Sequence, residues 1–290
     1  MSEYIKIYDS ILDKIVSWVK SEHAIRLAFI IGSRARSDRP ADEWSDMDIV
    51  IATNDTDMLL QSSDWLLKID VPKVMFNERT PTGDTERRVL FECGMDVDFI
   101  IIHTDSIKAS MNDGIVSMIV NRGVKVIVDK DALAGDLKAP DKYVPQNRLP
   151  GYDDFMNAVN DFWFHSVWTA KKMRRGEFLQ AKSCCDIYMK HILIEMLRWQ
   201  AYCKNGVEFD TWHDFRFFEK WVDPAVLQPL KNAFAHYDSE DIWDALFVTM
   251  NLFREVGRET AAMLKYDYPC EADDFASDYT RTLYKGRQKF

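Results

Sequence analysis

Two carboxylates separated by a single residue are the first feature of this 290-residue sequence that could carry chemistry. Asp46 and Asp48 stand directly ahead of the apolar run Ile49–Ala52. Side chains two residues apart in an extended chain point to the same side, so the spacing presents both carboxylates together at the end of a strand. Two like charges held this close repel each other and favour a divalent cation between them. Hard oxygen ligands favour Mg²⁺, which also bridges to substrate phosphates.

An ordered set of features surrounds this acid pair. The apolar run Ile25–Ile31 ends at a Gly32-Ser33 turn, a polar loop leads on to the acid pair, and Asp98 follows on a later apolar segment, DVDFIII. A D-x-D pair alone is common in solvated loops, and a lone Gly-Ser is often only a turn. The ordered combination favours a metal site. Asp96 shares the parity of Asp98, so the residues alone leave both as candidates for the third acid.

Short apolar runs bounded by Gly, Asp or Asn predict the strands that position these acids. They are Ile25–Ile31, Asp48–Ala52, Val89–Phe91, Val97–Ile102 and Val124–Val128. An apolar stripe predicts a first helix from about Tyr4 to Glu22. Arg88–Glu92 and Asp96–Ile102, with a turn at Cys93-Gly94, predict a hairpin. The N-terminal half is therefore predicted to be a small α/β sheet domain.

The second half of the chain changes character after the stretch GDLKAPDKYVPQNRLPG, whose three prolines and two glycines indicate a linker. Asp153 or Asp154 could cap a helix that runs to about Arg175. Two apolar stripes at helical spacing follow. They are Cys185, Met189, Ile192, Leu193 and Met196, and then Trp243, Leu246, Phe247, Met250 and Phe253. Residues 151–290 are predicted to form a helical bundle.

The charge balance bears on the class of partner. The net charge is −10, with 47 acidic against 37 basic residues, and no long basic run interrupts the sequence. A protein that grips a nucleic acid backbone needs clustered Lys and Arg. The composition therefore argues against a nucleic acid partner and favours a small cationic molecule.

The cysteines and the apolar segments predict the compartment. Five cysteines without CxxC spacing favour free thiols in a reducing cytosol. The N-terminus is amphipathic without an apolar signal core, and no stretch approaches the roughly 20 apolar residues that span a bilayer. We expect a cytoplasmic monomer that does not interact with membranes.

The order of motifs resembles the DNA polymerase β-like nucleotidyltransferase superfamily, whose pattern is G-S, then D-x-D, then a distal Asp. Within it, the motifs I-G-S-R-A-R, D-E-W-S-D-M-D-I and L-F-E-x-G-x-x-V-D are similar to those of the aminoglycoside 6-adenylyltransferase family, the streptomycin-modifying enzymes. The helical half adds further similar segments. They are Phe162-Trp163, Ala170–Lys172, Glu177–Lys182, Met196–Trp199, A-L-F near Leu246 and Leu252–Arg254.

The resemblance implies an α+β fold. A nucleotidyltransferase domain with a mixed sheet flanked by helices would occupy residues 1–140, and a linker residues 141–150. A helical acceptor-binding domain would occupy residues 151–290. The implied reaction moves AMP from Mg·ATP to a hydroxyl of an aminoglycoside, with release of pyrophosphate.

The resemblance also implies roles for single residues. Gly32 and Ser33 would hold the triphosphate, and Arg34 would neutralise phosphate charge. Asp46 and Asp48 would ligate Mg²⁺.

The third acid and the phosphate-binding lysine follow in the same way. Asp98 would complete the metal site or act as the general base, and it is chosen over Asp96 because it directly precedes the apolar run, as the family's aspartate does. Lys182 would reach the nucleotide phosphates. It shares the spacing i, i+4, i+8 with Asp186 and Lys190, which a solvated ion-pair ladder on one helix face explains equally well.

Two other functions remain open at this point. The acceptor could be a protein or RNA, although the acidic charge disfavours RNA. Alternatively, the chain could be a nucleotide-binding regulatory or antitoxin-like protein without turnover. The complete set of three acids counts against that second reading.

Overall fold

The computed structural model describes residues 3–107, 114–135, 137–140, 143–213 and 215–286. These residues divide into two units, Met1–Tyr143 and Val144–Phe290. Asp136, the second residue of the stretch GDLKAPDKYVPQNRLPG, and residues 141 and 142 of the predicted linker lie outside the described residues. The bounds predicted for the two domains at residues 140 and 151 therefore stay predictions.

A six-stranded mixed sheet forms the centre of the first unit. Its strands are β1 (Ile25–Ile31), β2 (Met47–Thr53), β3 (Pro72–Arg79), β4 (Thr85–Phe91), β5 (Asp96–His103) and β6 (Lys125–Asp129). The order across the sheet is β3-β4-β5-β2-β1-β6. Only β2 and β5 are parallel, and the other neighbouring pairs are antiparallel. The parallel pair matters most, because β2 and β5 begin at the same edge of the sheet.

Helices cover much of the sheet on its two faces. They are α1 (Glu3–Ser21), α2 (Thr56–Gln61) and α3 (Gly114–Arg122). On one face, the buried residues of β2, β4 and β5 pack against α1 through Ile11, Ile15 and Trp18. On the other face, Val50 and Ala52 of β2 belong to a smaller cluster that includes Val120 of α3. Alternation along each strand supplies both cores, because successive side chains point to opposite faces.

The predicted strands and the hairpin of β4 and β5 are confirmed, whereas β3 is missing from the prediction. All of β3 except its first residue is exposed. An edge strand without a buried face has no apolar alternation, so its sequence gives no strand signal. The structure also extends β4 backwards to Thr85, since its polar residues Glu86 and Arg87 are buried by specific partners.

The second unit is helical, as predicted. Its helices are α4 (Tyr152–Arg174), α5 (Phe178–Ser183), α6 (Met189–Asn205), α7 (Phe218–Trp221), α8 (Pro224–Lys231), α9 (Ser239–Leu264) and α10 (Cys270–Lys285). Phe162 of α4 stacks on Phe253 of α9 with 3.6 Å between ring centroids. Both predicted apolar stripes contribute to this core. The α+β fold class, with a mixed sheet flanked by helices followed by a helical part, is confirmed.

One local expectation in the second unit is wrong, and the alternative of an ion-pair ladder holds only between Lys182 and Asp186. Gly151 is the N-cap of α4, so Asp153 and Asp154 lie in the first turn of the helix. There, their negative charges interact favourably with the positive end of the helix dipole. A π-helical turn over Cys184–Tyr188 separates α5 from α6 and changes the phase of the helix. Lys190 therefore lies in the core, 3% exposed, and donates to the Thr249 hydroxyl at 2.8 Å rather than joining a solvated ladder.

A buried ion pair joins α9 to α10. Asp273 is fully buried and accepts hydrogen bonds from Nη2 of Arg254 at 2.6 Å and from the Ser277 hydroxyl at 3.1 Å. The Tyr268 hydroxyl lies 3.3 Å from the same carboxylate. These partners offset the desolvation cost of burying the Asp273 carboxylate. Within the described part of the chain, none of the helices combines the length and apolarity needed to cross a membrane.

Candidate active site

The three predicted acids converge at one edge of the sheet. Asp48 of β2 and Asp98 of β5 are direct neighbours in the parallel register, and Asp46 precedes β2. One carboxylate oxygen from each of the three lies within 4.8 Å of the others. Because β2 and β5 run in the same direction, residues separated by 50 positions in sequence begin their strands side by side. Asp96 is exposed and does not belong to this group.

The Gly32 turn packs directly against this acid group. Gly32 follows β1, whose last residue pairs with Asp48, and it adopts a φ of +68°. A Cβ atom at this position would lie 2.1 Å from Oδ2 of Asp48. Glycine is therefore required both by the left-handed backbone and by the closeness of the carboxylate.

The hydroxyl of Ser33 is buried beside the acid group. The residue is 8% exposed, and its hydroxyl has no hydrogen-bond partner among the residues that the structure describes. An unsatisfied buried hydroxyl costs free energy that a ligand oxygen could recover. The orphaned hydroxyl beside three carboxylates fits a site for a phosphate chain and its divalent cation.

Arg34 holds the loop that carries the acid pair. Its Nε donates to the Asp46 carbonyl at 2.8 Å, and its Nη2 donates to the Ser45 carbonyl at 2.6 Å. The guanidinium also lies 4.1 Å from the ring centroid of Tyr8 on α1. The structure therefore gives Arg34 a positioning role, and its predicted contact with phosphate stays a prediction.

The electrostatics of Asp98 reflect its burial among like charges. The pKa of Asp98 is raised to about 7, mainly by burial, with Glu86 and Asp46 contributing to the rise and Arg88 opposing it. A bound divalent cation would stabilise the charged form of Asp98, because it neutralises the repulsion between the neighbouring carboxylates that raises the pKa. The oxygen-only ligand set fits Mg²⁺.

Three residues beside Asp98 are absent from the sequence prediction. Nε of Arg88, on β4, lies 3.4 Å from Oδ2 of Asp98, 3.6 Å from Glu86 and 3.3 Å from Glu78. Arg88 pairs with Asp98 in the antiparallel register, so all four side chains share one face of the sheet. In the sequence, the only indication that these residues share a face is the alternation of Glu86 and Arg88 before the apolar end of β4.

Lys182 lies in the second unit, at the end of α5. Its ammonium forms an ion pair with Oδ2 of Asp186 across one helical turn. The other carboxylate oxygen of Asp186 is buried and has no hydrogen-bond partner. The predicted contact of Lys182 with nucleotide phosphates stays a prediction.

The fold and the sequence together define the class of protein. A mixed sheet that carries three acids beside a Gly-Ser turn, followed by a helical part, is the arrangement expected of a nucleotidyltransferase. Residues 5–283 match the family described as streptomycin adenylyltransferase, and the chain belongs to this family. Membership confirms the predicted family and the predicted enzyme class.

Similar proteins carry related names. An aminoglycoside 6-adenylyltransferase of Bacillus subtilis (strain 168) is 24% identical over 94% of this chain and 96% of its own length. One from Campylobacter jejuni is 25% identical, covering 93% of each chain. The crystal structure of an aminoglycoside 6-adenyltransferase from Bacillus subtilis aligns with 94% of this chain and 97% of its own, at 19% identity and a TM-score of 0.46.

Proposed function

We propose that this enzyme moves AMP from ATP to a hydroxyl of an aminoglycoside, in a reaction that depends on Mg²⁺ and releases pyrophosphate. The observation that carries the proposal is the convergence of Asp46, Asp48 and Asp98 within 4.8 Å, beside the Gly32 turn. The names of the relatives support the nucleotide and the acceptor class. The acidic net charge of the protein would attract a polycationic acceptor. We propose that the enzyme acts as a cytoplasmic monomer.

Residues near the turn would bind the nucleotide. The Ser33 hydroxyl, which has no hydrogen-bond partner in the described part of the chain, donates to a phosphate oxygen of ATP. Gly32 permits the close approach of the turn to Asp48. Asp46, Asp48 and Asp98 would hold Mg²⁺, which would neutralise phosphate charge and polarise the α-phosphate.

The chemical step is an in-line displacement at the α-phosphorus. The acceptor hydroxyl oxygen forms a bond to this phosphorus while the bond to the oxygen that bridges to the β-phosphate breaks. Pyrophosphate leaves with the electron pair of that bond. The hydroxyl proton passes to a carboxylate oxygen of Asp98, the most buried of the three acids. Positioning and charge neutralisation provide most of the rate enhancement in such a reaction.

A pyrophosphate-release assay tests the proposal. The purified enzyme is mixed with ATP, Mg²⁺ and a panel of aminoglycosides, with streptomycin first. We expect acceptor-dependent pyrophosphate release, and a fall in kcat of at least about 100-fold in Asp48→Asn and Asp98→Asn, since metal-held charge provides several kcal/mol of transition-state stabilisation.

Asp96→Asn is the matched control, because Asp96 lies two residues from Asp98 on the same strand but is exposed. It should retain most of the activity. Full activity in Asp48→Asn, or a larger loss in Asp96→Asn than in Asp98→Asn, would show that the acids are wrongly assigned. ATP binding without pyrophosphate release for any acceptor would instead indicate a nucleotide-binding protein without turnover.

A further inference from the structure

One face of the β3–β4 hairpin is continuous with the acid group. Its side chains are Val74, Phe76, Glu78, Glu86, Arg88 and Leu90, which we name the open hairpin face. Arg88 is opposite Asp98 in the β4–β5 register, and Phe76 is opposite Arg88 in the β3–β4 register. Directly paired residues lie on the same side of a sheet. A single row of side chains therefore runs from Asp98 to the edge of the sheet.

The apolar members of the open hairpin face are exposed, whereas Glu86 within it is buried, with 8% of its surface exposed. Val74 is 57% exposed, Phe76 54% and Leu90 41%. On β4 the opposite side is different, since Val89 and Phe91 are buried in the core, whereas on β3 the opposite side is exposed as well, with Met75 47% exposed. Three neighbouring apolar side chains left in water beside a catalytic group are typical of a surface that receives a ligand.

The charge on this face is predominantly negative. Carboxylate oxygens of Glu78, Glu86 and Asp98 surround one guanidinium nitrogen of Arg88 at 3.3 to 3.6 Å. The single positive charge of Arg88 is therefore shared by three carboxylates. Two further carboxylates, Asp46 and Asp48, lie close by on the other side of Asp98. None of these contacts has the length of a strong charge-assisted hydrogen bond, which is about 2.7–2.9 Å. The carboxylates retain capacity for further cations.

The sheet order separates this face from the nucleotide-binding turn. In the order β3-β4-β5-β2-β1-β6, the Gly32 turn follows β1 on one side of the acids, and the hairpin lies on the other side. An in-line displacement requires the entering and leaving oxygens on opposite sides of the phosphorus. A phosphate chain is also repelled by Glu78 and Glu86, so it belongs on the side of the turn.

We propose that the open hairpin face is the platform that binds the acceptor. The Glu78 and Glu86 carboxylates bind ammonium or guanidinium groups of a polycationic aminocyclitol, and Phe76 packs against the C–H face of its ring. This arrangement brings a ring hydroxyl to Asp98. The inference rests on the proposed function, and it gives residues of the hairpin a part in choosing the acceptor.

Substitution of the two glutamates tests the platform. Glu78→Gln and Glu86→Gln keep size and shape while removing the charge, and each should raise the KM for streptomycin by about 10-fold or more. We expect a smaller change in kcat. In Glu78→Gln the KM for ATP and the affinity for Mg²⁺, measured by titration calorimetry, should not change. Glu86→Gln also removes a negative charge that acts on Asp98, so Glu78→Gln is the variant that isolates the effect on the acceptor. Phe76→Ala, at an exposed position, should raise the same KM without affecting folding.

Glu92→Gln is the matched control. Glu92 is an exposed carboxylate one residue past the end of β4, and it pairs with Lys73 at 2.7 Å. Its KM for streptomycin should equal that of the wild type. An unchanged KM in both Glu78→Gln and Glu86→Gln, with the wild type active, would overturn the platform while leaving the proposed function intact.

A direct binding measurement separates the platform from the reaction. If no acceptor supports pyrophosphate release, the proposed function fails, and calorimetric titration of streptomycin into the protein without ATP still decides the inference. Weaker binding to both glutamine variants than to wild type and Glu92→Gln would support the platform. Equal binding to all four proteins would refute it.

Discussion

At the scale of single residues, Gly32 shows how closely the turn and the acids depend on each other. Its φ of +68° lies in the left-handed region, and Oδ2 of Asp48 occupies the space that a side chain would need. The sequence predicts a turn from Gly-Ser. It does not predict that this glycine also makes room for a carboxylate from another strand.

Gly32→Ala should therefore reduce both metal binding and catalysis. The added Cβ must displace the Asp48 carboxylate, so we expect the affinity for Mg²⁺ to fall and the rate of pyrophosphate release to drop by at least about 10-fold. Calorimetry with Mg²⁺ and the pyrophosphate assay measure the two effects.

Gly94→Ala provides the control for backbone strain. Gly94 has a φ of +82°, but a Cβ there would meet nothing within 4 Å. In this variant the free energy of unfolding should fall by only roughly 1 kcal/mol, the cost expected for a non-glycine residue in the left-handed region. Its affinity for Mg²⁺ should not change. Equal loss of Mg²⁺ affinity in both variants would show that strain alone explains the effect.

Arg88, Glu86 and Glu78 illustrate the limit of prediction at this scale. Each looks like an ordinary charge on a polar strand, and nothing in its local sequence links it to Asp98. The register of β3, β4 and β5 brings the four together. A sequence pattern indicates which side of its own strand a residue occupies, but not which residue lies opposite on the next strand.

At the scale of elements, buried polar contacts hold both units in shape. In the first unit, the buried Arg87 of β4 donates to the carbonyls of Leu59 and Leu60 in α2 at 2.7 and 2.6 Å. In the second unit, Asp273 links α10 to Arg254 of α9. Each contact fixes one element against another, because a buried charge that loses its partner is left uncompensated.

Asp273→Asn should strongly destabilise the second unit. The substitution removes the buried counter-charge of the partly buried Arg254 guanidinium, and breaking a buried pair typically costs about 3–5 kcal/mol. We expect a clear fall in melting temperature, measured by circular dichroism.

Asp278→Asn is the comparison for that substitution. Asp278 lies on the same helix and pairs with Arg281 at 3.4 Å, but its side chain is 81% exposed. Its loss should cost about 0–1 kcal/mol, because exposed ion pairs contribute little. Similar melting temperatures for the two variants would contradict a structural role for the Asp273 pair.

At the scale of the whole molecule, the net charge of −10 should influence how a cationic acceptor associates. Salt screens such attraction, with a Debye length of about 10 Å at 0.1 M ionic strength. We expect the KM for streptomycin to rise several-fold as KCl is increased at constant free Mg²⁺, with little change in kcat. Steady-state pyrophosphate release measures both constants.

Sucrose at matched osmolality provides the control for this experiment, since it adds solute without screening charge. It should leave the KM for streptomycin almost unchanged. A KM that is insensitive to KCl would show that long-range attraction plays no part in acceptor binding, and that short contacts alone determine affinity.

The sequence by itself was sufficient to predict the strands around the acids, the helical second half and the membership of the family. Each of these depends on local apolar patterns or on the order of motifs along the chain. It also pointed to Asp46, Asp48 and Asp98. Their convergence depends on the parallel pairing of β2 with β5, which the pattern of neither strand specifies. The exposed strand β3, the row from Asp98 to Glu78 and the buried position of Lys190 were likewise decided only by tertiary structure, since they depend on register and helix phase.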